Sequence, residues 1–177
     1  MSEILREGPR LLLRKAEEKD LDYILRLEYE PENLKYIYPF DRTAQLEAIR
    51  GPETMDVIVA ERDTGEEAGY FMLRELNSPS LEMEWTHVII GKKGRGYGHE
   101  AMKLLKAWTF ETKKFHRAWL DCKEYNDRAL HLYESEGMQR EGVLRETLLT
   151  NGVYENLVVL GILDREYFSR KAEGKEL

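Results

Sequence analysis

A glycine cluster between a predicted strand and an amphipathic helix constrains this chain more than any other feature of its sequence. Gly94, Gly96 and Gly98 follow the predicted strand 81–90, and the apolar stripe of a helix begins at Ala101. Glycine adopts positive φ and lets the backbone approach a ligand closely. The first turn of the following helix has unpaired N–H groups at the positive end of its dipole. The segment therefore predicts an anion site suited to a pyrophosphate group.

Three alternatives to a coenzyme site compete for this loop. It lacks the Gly-x-x-x-x-Gly-Lys-Ser/Thr pattern of a P-loop NTPase, and it lacks the Gly-x-Gly-x-x-Gly pattern after a first strand that a dinucleotide fold needs. A glycine turn that only caps a helix stays open on the loop alone. Lys92, Lys93 and Arg95 favour an anion site, because they place positive charge in an otherwise acidic chain.

A second segment, residues 126–138, adds to the first. Asn126 and Tyr133 are two helical turns apart, so they share one face of a predicted helix. They are separated by roughly 10 Å along the axis at about 1.5 Å per residue, which suits one side of an extended ligand arm. Taken alone, Asn126 is also explained as a helix N-cap and Tyr133 as a core aromatic residue.

Both segments resemble the GNAT acetyltransferase superfamily. The pyrophosphate-loop pattern of that family, Arg/Gln-x-x-Gly-x-Gly/Ala, lies over residues 93–98, with Lys93 at its first position. Lysine keeps the charge and loses the planar fork of arginine. Residues 126–138 resemble the family segment Asn-x-x-Ala-x-x-Leu-Tyr-Glu-x-x-Gly-Phe, with Met138 in place of Phe. Residues 10–14, 141–146, 151–154 and 158–163 resemble the branch similar to the RimJ/RimL ribosomal-protein acetyltransferases.

The resemblance implies a mixed α/β fold of one domain over residues 1–177, with a central, mostly antiparallel sheet, splayed middle strands and flanking helices. It implies acetyl-CoA as cosubstrate and direct transfer of the acetyl group to a primary amine in a ternary complex. In such a site Tyr133 protonates the departing thiolate, and Glu84, on the strand before the loop, is the general base. The cofactor-binding residues that it implies are Val88, Ile89, Ile90, Lys93, Gly94, Arg95, Gly96, Tyr97, Gly98 and Asn126.

The general base is the least determined of these residues. Glu84 shares its strand face with Glu82 and Thr86, and a solvated strand carboxylate is the alternative. Strand alternation puts His87 on the opposite face, where a structural role is expected. A covalent route through the single cysteine, Cys122, has no activating base nearby in sequence, so a buried structural thiol is expected. The four histidines show no metal-ligand spacing, and no metal is expected.

Periodicity predicts an order of strands and helices that suits one sheet. Helices are expected over 20–28, capped by Asp20, over 44–50, capped by Thr43, along the stripe 101–115, and from the cap Asn126 to Glu136. The polar tail, 170–177, is expected to fray. Strands are expected at 11–13, 57–60, 69–73, 81–90, 117–122, 142–148 and 153–163.

Composition argues against several classes of function. A net charge of −7 gives little reason to expect nucleic-acid binding, which depends on a basic surface, and it favours the approach of a cationic substrate. No apolar run approaches the roughly 20 residues that span a bilayer, and the charged N-terminus lacks the apolar stretch of a secretory signal. A single cysteine allows no internal disulfide. A cytoplasmic protein without nucleic-acid or membrane partners is therefore expected.

A non-catalytic acyl-CoA-binding sensor is the alternative to an enzyme. Asn126 and Tyr133 favour catalysis, because a pure binding domain needs no proton donor. The acceptor is open among a protein N-terminus, a polyamine, an aminoglycoside-like compound and an amino acid, bound by residues 28–50 and the late hairpin near 149–154. The oligomeric state is open too, and a homodimer is one of the options.

Overall fold

Strands rich in apolar residues build one eight-stranded sheet. The structure is a computed structural model and describes residues 2–177. The strands are β1 (Ile4–Glu7), β2 (Leu11–Lys15), β3 (Thr54–Glu61), β4 (Glu67–Arg74), β5 (Glu82–Ile90), β6 (Arg117–Lys123), β7 (Gln139–Thr150) and β8 (Val153–Leu163). Their order in the sheet is β1-β2-β3-β4-β5-β6-β8-β7, and every neighbouring pair is antiparallel except β5 with β6.

Helices cover both faces of this sheet and close two apolar cores. The helices are α1 (Leu21–Tyr29), α2 (Pro31–Leu34), α3 (Arg42–Arg50), α4 (Tyr97–Ala107), α5 (Asp127–Ser135) and α6 (Asp164–Ala172). One core packs α4 and α5 against the sheet, with Leu105 and Leu130 fully covered. The other packs α1 and α3 on the opposite face, with Ile24 and Ile49 buried. No helix within residues 2–177 is long and apolar enough to span a bilayer.

The two middle strands separate halfway along their length. The crossover through α4 makes β5 and β6 parallel, and they pair only from Glu82 opposite Arg117 to Glu84 opposite Trp119. The later residues of β5, up to Ile90, have no partner on β6 within the described chain. The structure thus confirms the predicted sheet with splayed middle strands, and the gap lies directly before the glycine loop.

A β-bulge in β5 changes which face its residues occupy. The register of β4 and β5 shifts by one residue between Trp85 and His87. Before the bulge Trp85 packs in the core of α4, whereas after it Ile89 packs in the core of α1. The prediction that His87 lies on the face opposite to Glu84 is therefore wrong, because the extra residue returns His87 to that face.

The structure also corrects local predictions. The cap of α3 is Asp41, whose carboxylate accepts a hydrogen bond from the first helical turn, and not Thr43. Periodicity does not predict β1, α2 or α6, of which β1 and α2 have only four residues each. The tail after α6 is packed and not frayed, because the buried carboxylate of Glu176 pairs with Lys106 at 2.6 Å and with Arg170 at 2.8 Å.

Candidate active site

A cavity of about 830 Å³ opens where β5 and β6 separate. Leu132 and Tyr133 line it from the α5 side of the sheet, and Ile37 and Phe40 line it from the α1 side. The cavity therefore reaches both faces of the sheet through the gap. We call residues 93–98 with α5 the glycine-loop half, and we call Glu84, His87, Asp121 and the segment 36–40 the carboxylate half.

The glycine loop turns into α4 through two left-handed residues. Gly94 has φ +77°, and Gly96, the N-cap of α4, has φ +71°; side chains are strained in this region. The Arg10 guanidinium donates to the carbonyl oxygen of Arg95 at 2.9 Å and so braces the loop from behind. A Cβ added at Gly96 would lie no closer than 3.9 Å to any other side chain. The surface of the loop is thus open to a ligand at the N-terminus of α4, which is what a pyrophosphate needs.

The cations of the loop are already paired with carboxylates. Lys93 lines the cavity and binds Glu32 of α2 at 2.6 Å. Lys92 pairs with Glu61 at 2.9 Å, and Arg95 pairs with the same carboxylate at 3.2 Å. Of these cations, Arg95 does not line the cavity. The positive charge that an anion meets here therefore comes mainly from backbone N–H groups and the helix end.

Two other predicted loop residues have packing partners in the structure. A Cβ at Gly98 would approach the side chain of Leu132 to 3.2 Å, so glycine here lets α4 and α5 come close. The hydroxyl of Tyr97 donates to Glu61 at 3.0 Å, and the Arg10 guanidinium lies over its ring at 5.1 Å. Tyr97 and Gly98 both line the cavity, so the loop is shaped by its neighbours as well as by its own sequence.

The open edge of β5 presents free backbone groups to the cavity. The Gly91 N–H donates to the Ala68 carbonyl of β4 at 2.8 Å. Neighbouring strand residues direct their backbone groups to opposite sides, so Ile89 bonds towards β4, and Val88 and Ile90 turn their N–H and C=O groups to the gap. Of the three predicted β5 residues, two thus present unpaired backbone groups and Ile89 does not.

Asn126 and Tyr133 lie on the predicted face of α5, and both line the cavity. Asn126 is the N-cap of α5, where its Oδ1 accepts from the Ala129 N–H at 3.3 Å. The Tyr133 ring is buried, and its hydroxyl makes no hydrogen bond to any of residues 2–177. Burial raises the pKa of Tyr133 well above its usual value. The phenol is therefore protonated at neutral pH and free to donate into the cavity.

Two carboxylates meet at the closed end of the gap. Glu84 is the last β5 residue paired with β6, and Asp121 follows on β6 where the pairing has ended. Burial raises the pKa of Glu84, and the charge of Asp121 adds to the rise. Burial also raises the pKa of Asp121. The sequence prediction missed Asp121, although an acidic residue between Leu120 and Cys122 in an apolar strand is a usable signal.

A buried polar cluster supports the same end of the cavity from the α1 side. The Glu28 carboxylate has no exposed surface and lies 2.6 Å from Nδ1 of His87. The Tyr70 hydroxyl donates to the same carboxylate, and the backbone N–H of Phe40 donates to its second oxygen at 2.7 Å. His87 lines the cavity. The sequence prediction missed this cluster because Glu28, Tyr70 and His87 come from three elements far apart in the chain.

The thiol of Cys122 does not suit a covalent route. Cys122 is buried, and burial raises the pKa of its thiol to about 12. Such a thiol is a poor nucleophile at neutral pH. Within residues 2–177 no group of three or more histidine, cysteine or acidic side chains is arranged to hold a metal ion.

Comparison with known proteins identifies the family. The family model "Acetyltransferase (GNAT) domain" matches residues 10–139, which is more than half of the chain. The spermidine N(1)-acetyltransferase of Escherichia coli K12 is 27% identical over 173 residues, covering 93% of this chain and 92% of the relative. That of Vibrio cholerae is 26% identical over 167 residues, covering 90% and 96%. This chain belongs to the GNAT acetyltransferase family.

A solved structure agrees with this assignment. The crystal structure of spermidine N-acetyltransferase from Vibrio cholerae in complex with CoA and spermine matches with a TM-score of 0.81 and 25% identity, covering 91% of this chain and 99% of that one. The predicted fold and enzyme class are confirmed: the chain is an acyltransferase that uses acetyl-CoA as cosubstrate. The alternative of a non-catalytic sensor finds no support. The open glycine loop, the unpaired β5 edge and the size of the cavity all fit this cosubstrate.

Proposed function

We propose that this enzyme acetylates a small alkyl amine that carries more than one positive charge, a polyamine in the simplest case. Acetyl-CoA enters along the glycine-loop half and the amine enters along the carboxylate half. The two substrates meet in the gap between β5 and β6. The amine nitrogen then attacks the thioester directly, with both substrates bound at the same time.

One observation carries the acceptor class: two carboxylates, Glu84 and Asp121, face one cavity together with an aromatic segment. A carboxylate stabilises an ammonium group by charge, more strongly in a partly enclosed site than in water. Aromatic rings stabilise cations through their faces. Tyr36, Tyr38 and Phe40 line the cavity at this end. A small cation with several charges and an alkyl chain suits such a wall, and the net charge of −7 favours its approach.

The relatives point to the same substrate class. The curated relatives from Escherichia coli and Vibrio cholerae are spermidine acetyltransferases, and each matches over about nine tenths of this chain. At 26–27% identity to these relatives, the proposal names the class of small amines and not spermidine itself.

The residues of the glycine-loop half bind and orient the acetyl donor in this proposal. The backbone N–H groups of the loop and of the first turn of α4 hold the pyrophosphate, and Asn126 contacts the arm that leads to the thioester. The N–H groups of Val88 and Ile90 donate to the oxyanion that develops during attack. Tyr133 donates its proton to the departing sulfur, for which a buried, protonated phenol is suited.

The amine must lose a proton before it attacks. An alkyl amine has a pKa near 10, so it arrives mostly as an ammonium ion. Glu84 is the carboxylate that meets this ammonium group, and it is the candidate base that the sequence pattern offers. Its raised pKa brings it closer to the range in which a base works at neutral pH.

An acceptor screen tests the proposal. Release of free thiol from acetyl-CoA is followed with spermidine, putrescine, a monoamine of equal length, an aminoglycoside, an amino acid and a peptide with a free N-terminus. The expected order puts amines with two or more charges at least about tenfold above the monoamine in kcat/KM, since one well-placed charge pair stabilises a complex by about 1.4 kcal/mol or more. A preference for the peptide would overturn the proposal and favour the RimJ/RimL branch.

The proposal is made for one copy of the chain, and it holds for a monomer and for a homodimer. It treats residues 1–177 as one catalytic domain acting in the cytoplasm, where acetyl-CoA and polyamines are both available. Sedimentation of the purified protein decides between the two oligomeric states.

A further inference from the structure

The Glu28 carboxylate is fully enclosed, yet it is satisfied by donors and not by a cation such as lysine or arginine. The Phe40 N–H donates to one oxygen, and the Tyr70 hydroxyl and the His87 ring nitrogen Nδ1 reach the other. A buried carboxylate needs such donors, because an unpaired buried charge is strongly unfavourable. The three groups converge on the Glu28 carboxyl group, which faces Nδ1 of His87, and the Tyr70 hydroxyl also lies 2.9 Å from that nitrogen.

This arrangement sets the tautomer of His87. The single hydroxyl proton of Tyr70 is used on Glu28, so it is not available to Nδ1 of His87. Nδ1 lies 2.6 Å from the same carboxylate and therefore carries its own proton towards it. In the neutral ring the other nitrogen, Nε2, then has a free lone pair. No hydrogen bond from residues 2–177 ends on Nε2, and His87 lines the cavity.

The bulge in β5 is what brings this lone pair to the site. Without the extra residue His87 would face the core of α4. With it, His87 shares the carboxylate half with Glu84 and Asp121, and the charge of His87 is felt by Asp121. The ring of Phe40 lies 5.4 Å from the imidazole and covers it. A carboxylate behind a histidine, with the far nitrogen open to substrate, is the arrangement by which many enzymes remove a proton.

We propose that His87 is the general base of this acetyltransferase and that Glu28 is its positioning residue, while Glu84 serves as the counter-ion that holds the ammonium group. The proposal rests on the function proposed above and replaces Glu84 by His87 as the residue that accepts the proton. Imidazole is the usual base at neutral pH. A carboxylate such as Glu84 is better suited to hold a cation, because it stays the weaker base of the two side-chain types.

Acetyl transfer in this proposal moves protons between His87, the amine, Tyr133 and the sulfur. Nε2 of His87 takes one proton from the ammonium nitrogen, and the imidazolium that forms faces the Glu28 carboxylate. The freed lone pair forms the C–N bond to the thioester carbon while the C–S bond breaks and its electrons leave with sulfur. Tyr133 gives its proton to that sulfur and regains one from the nitrogen. His87 finally releases its proton to water, so the products are the amide, the free thiol and one proton.

Charged and titratable groups from several elements surround His87. Glu28 belongs to α1, and Tyr70 to β4. Glu84 shares β5, and Asp121 lies on β6. Asp56 lies behind Glu28, and Arg74 caps the Phe40 ring at 5.2 Å. The carboxyl groups around His87 therefore outnumber the one cation.

Two single variants distinguish the role of His87 as base from the role of Glu84 as counter-ion. Glutamine at position 87 keeps a donor towards Glu28 and cannot accept a proton. His87→Gln should lower kcat by about 10²-fold, within the range for loss of one base, and should abolish the rise of kcat between pH 6 and 8. Acetyl-CoA affinity by calorimetry should stay unchanged. Glu84→Gln should mainly raise KM for the amine and keep the rise. The reverse pattern, with the rise lost only in Glu84→Gln, would overturn the proposal.

A second pair of variants tests the positioning role. Glu28→Gln removes the charge that favours the imidazolium, so the inflection of kcat should move to lower pH by about one unit or more, the amount expected for loss of one adjacent charge. Glu111→Gln removes a carboxylate that accepts from a tyrosine hydroxyl, that of Tyr167, outside the cavity, and it should keep the inflection where it is. An unmoved inflection in Glu28→Gln, in protein shown to be folded by circular dichroism, contradicts the proposal.

A measurement without any acceptor keeps this proposal separate from the proposed function. Long-range ¹H–¹⁵N NMR spectra of the wild type should show His87 protonated on Nδ1 and unprotonated on Nε2 at pH 8. The opposite tautomer overturns the dyad even if polyamines are acetylated. Conversely, the expected tautomer in a protein that acetylates no amine of the screen would remove the proposed function and, with it, the role of His87 as base.

Discussion

The two halves of the cavity are built in different ways. The glycine-loop half comes from two continuous segments, residues 93–98 and α5, and in the proposed function the backbone of the loop does most of the binding. The carboxylate half is assembled from the segment 36–40, β5 and β6, with Glu28 of α1 behind it. Only the folded sheet brings these elements together. The donor site is thus a local property of the chain, and the acceptor site is a property of its tertiary structure.

The electrostatics of the two halves differ as well. Cations of the glycine loop are neutralised on the surface, as Lys93 is by Glu32. In contrast, of the acids at and behind the carboxylate half, Asp56 is buried, Glu84 is half-buried and Asp121 is exposed, and desolvation raises the pKa of all three. The glycine-loop half should therefore respond to changes of backbone shape, and the carboxylate half should respond to charge and pH.

The largest effect is expected from a change of backbone in the loop. Gly96→Val puts a branched side chain at φ +71° on the open surface of the glycine loop. It should lower acetyl-CoA affinity by about 10³-fold, because two or three charge-assisted hydrogen bonds are lost. Calorimetric titration measures this. Gly65→Val, at φ +73° in the β3–β4 turn, carries the same backbone strain and should bind normally. Equal affinities in the two variants would separate the loop from coenzyme binding.

The next effect concerns the one side chain of the glycine-loop half that takes part in chemistry. Tyr133→Phe keeps the ring and should keep acetyl-CoA affinity, while kcat falls by about 10²-fold through loss of the proton donor. Turnover is followed as free thiol. Tyr167→Phe removes another buried phenol, one that donates to Glu111 outside the cavity, and should keep kcat. A drop in thermal stability of Tyr133→Phe with unchanged kcat would make Tyr133 a core residue only.

A smaller effect is expected in stability on the carboxylate side. Asp56, beside Glu28, is buried, and burial raises its pKa from 3.8 to about 7. A raised pKa stabilises the fold at low pH, and this contribution is lost as the pH rises through 7. Asp56→Asn removes the buried charge. Between pH 5.5 and 8.5 the wild type should therefore lose about 2 kcal/mol of unfolding free energy relative to Asp56→Asn.

Urea unfolding at the two pH values measures this difference. Asp63→Asn, in an exposed turn, removes the same formal charge and should follow the wild-type curve. If Asp56→Asn and the wild type lose stability in parallel, the acid behind the carboxylate half is not the pH-sensitive group, and the contrast between the halves weakens.

The smallest effect tests whether charge matters in the glycine loop. Lys93→Ala removes the one loop cation that both lines the cavity and matches the family pattern. Because its ammonium is partly exposed and already paired with Glu32, KM for acetyl-CoA should rise by only about threefold, as expected for an exposed charge pair. A rise as large as that of Gly96→Val would mean that charge, and not backbone shape, holds the pyrophosphate.

These differences explain how much of the fold and of the candidate site could be predicted from the sequence. The glycine pattern and the Asn126–Tyr133 spacing are local, so the fold class and the donor site follow from them. The carboxylate half could not be predicted in the same way. The face of His87 depends on a bulge whose register is set by β4, and the partner of His87, Glu28, lies 59 positions away. Glu84, on the strand where family members often have a glutamate, and Asp121, an acid in an apolar strand, are the members of this half that the sequence can indicate.

Direct transfer requires that both substrates are bound at the same time, from opposite faces of the sheet. Initial rates over a grid of acetyl-CoA and spermidine concentrations test this directly. Direct attack predicts reciprocal plots that intersect, with no acetyl group on the protein after incubation with acetyl-CoA alone. Parallel plots, together with an acetyl group found by mass spectrometry on Cys122, would show a covalent intermediate and contradict the account.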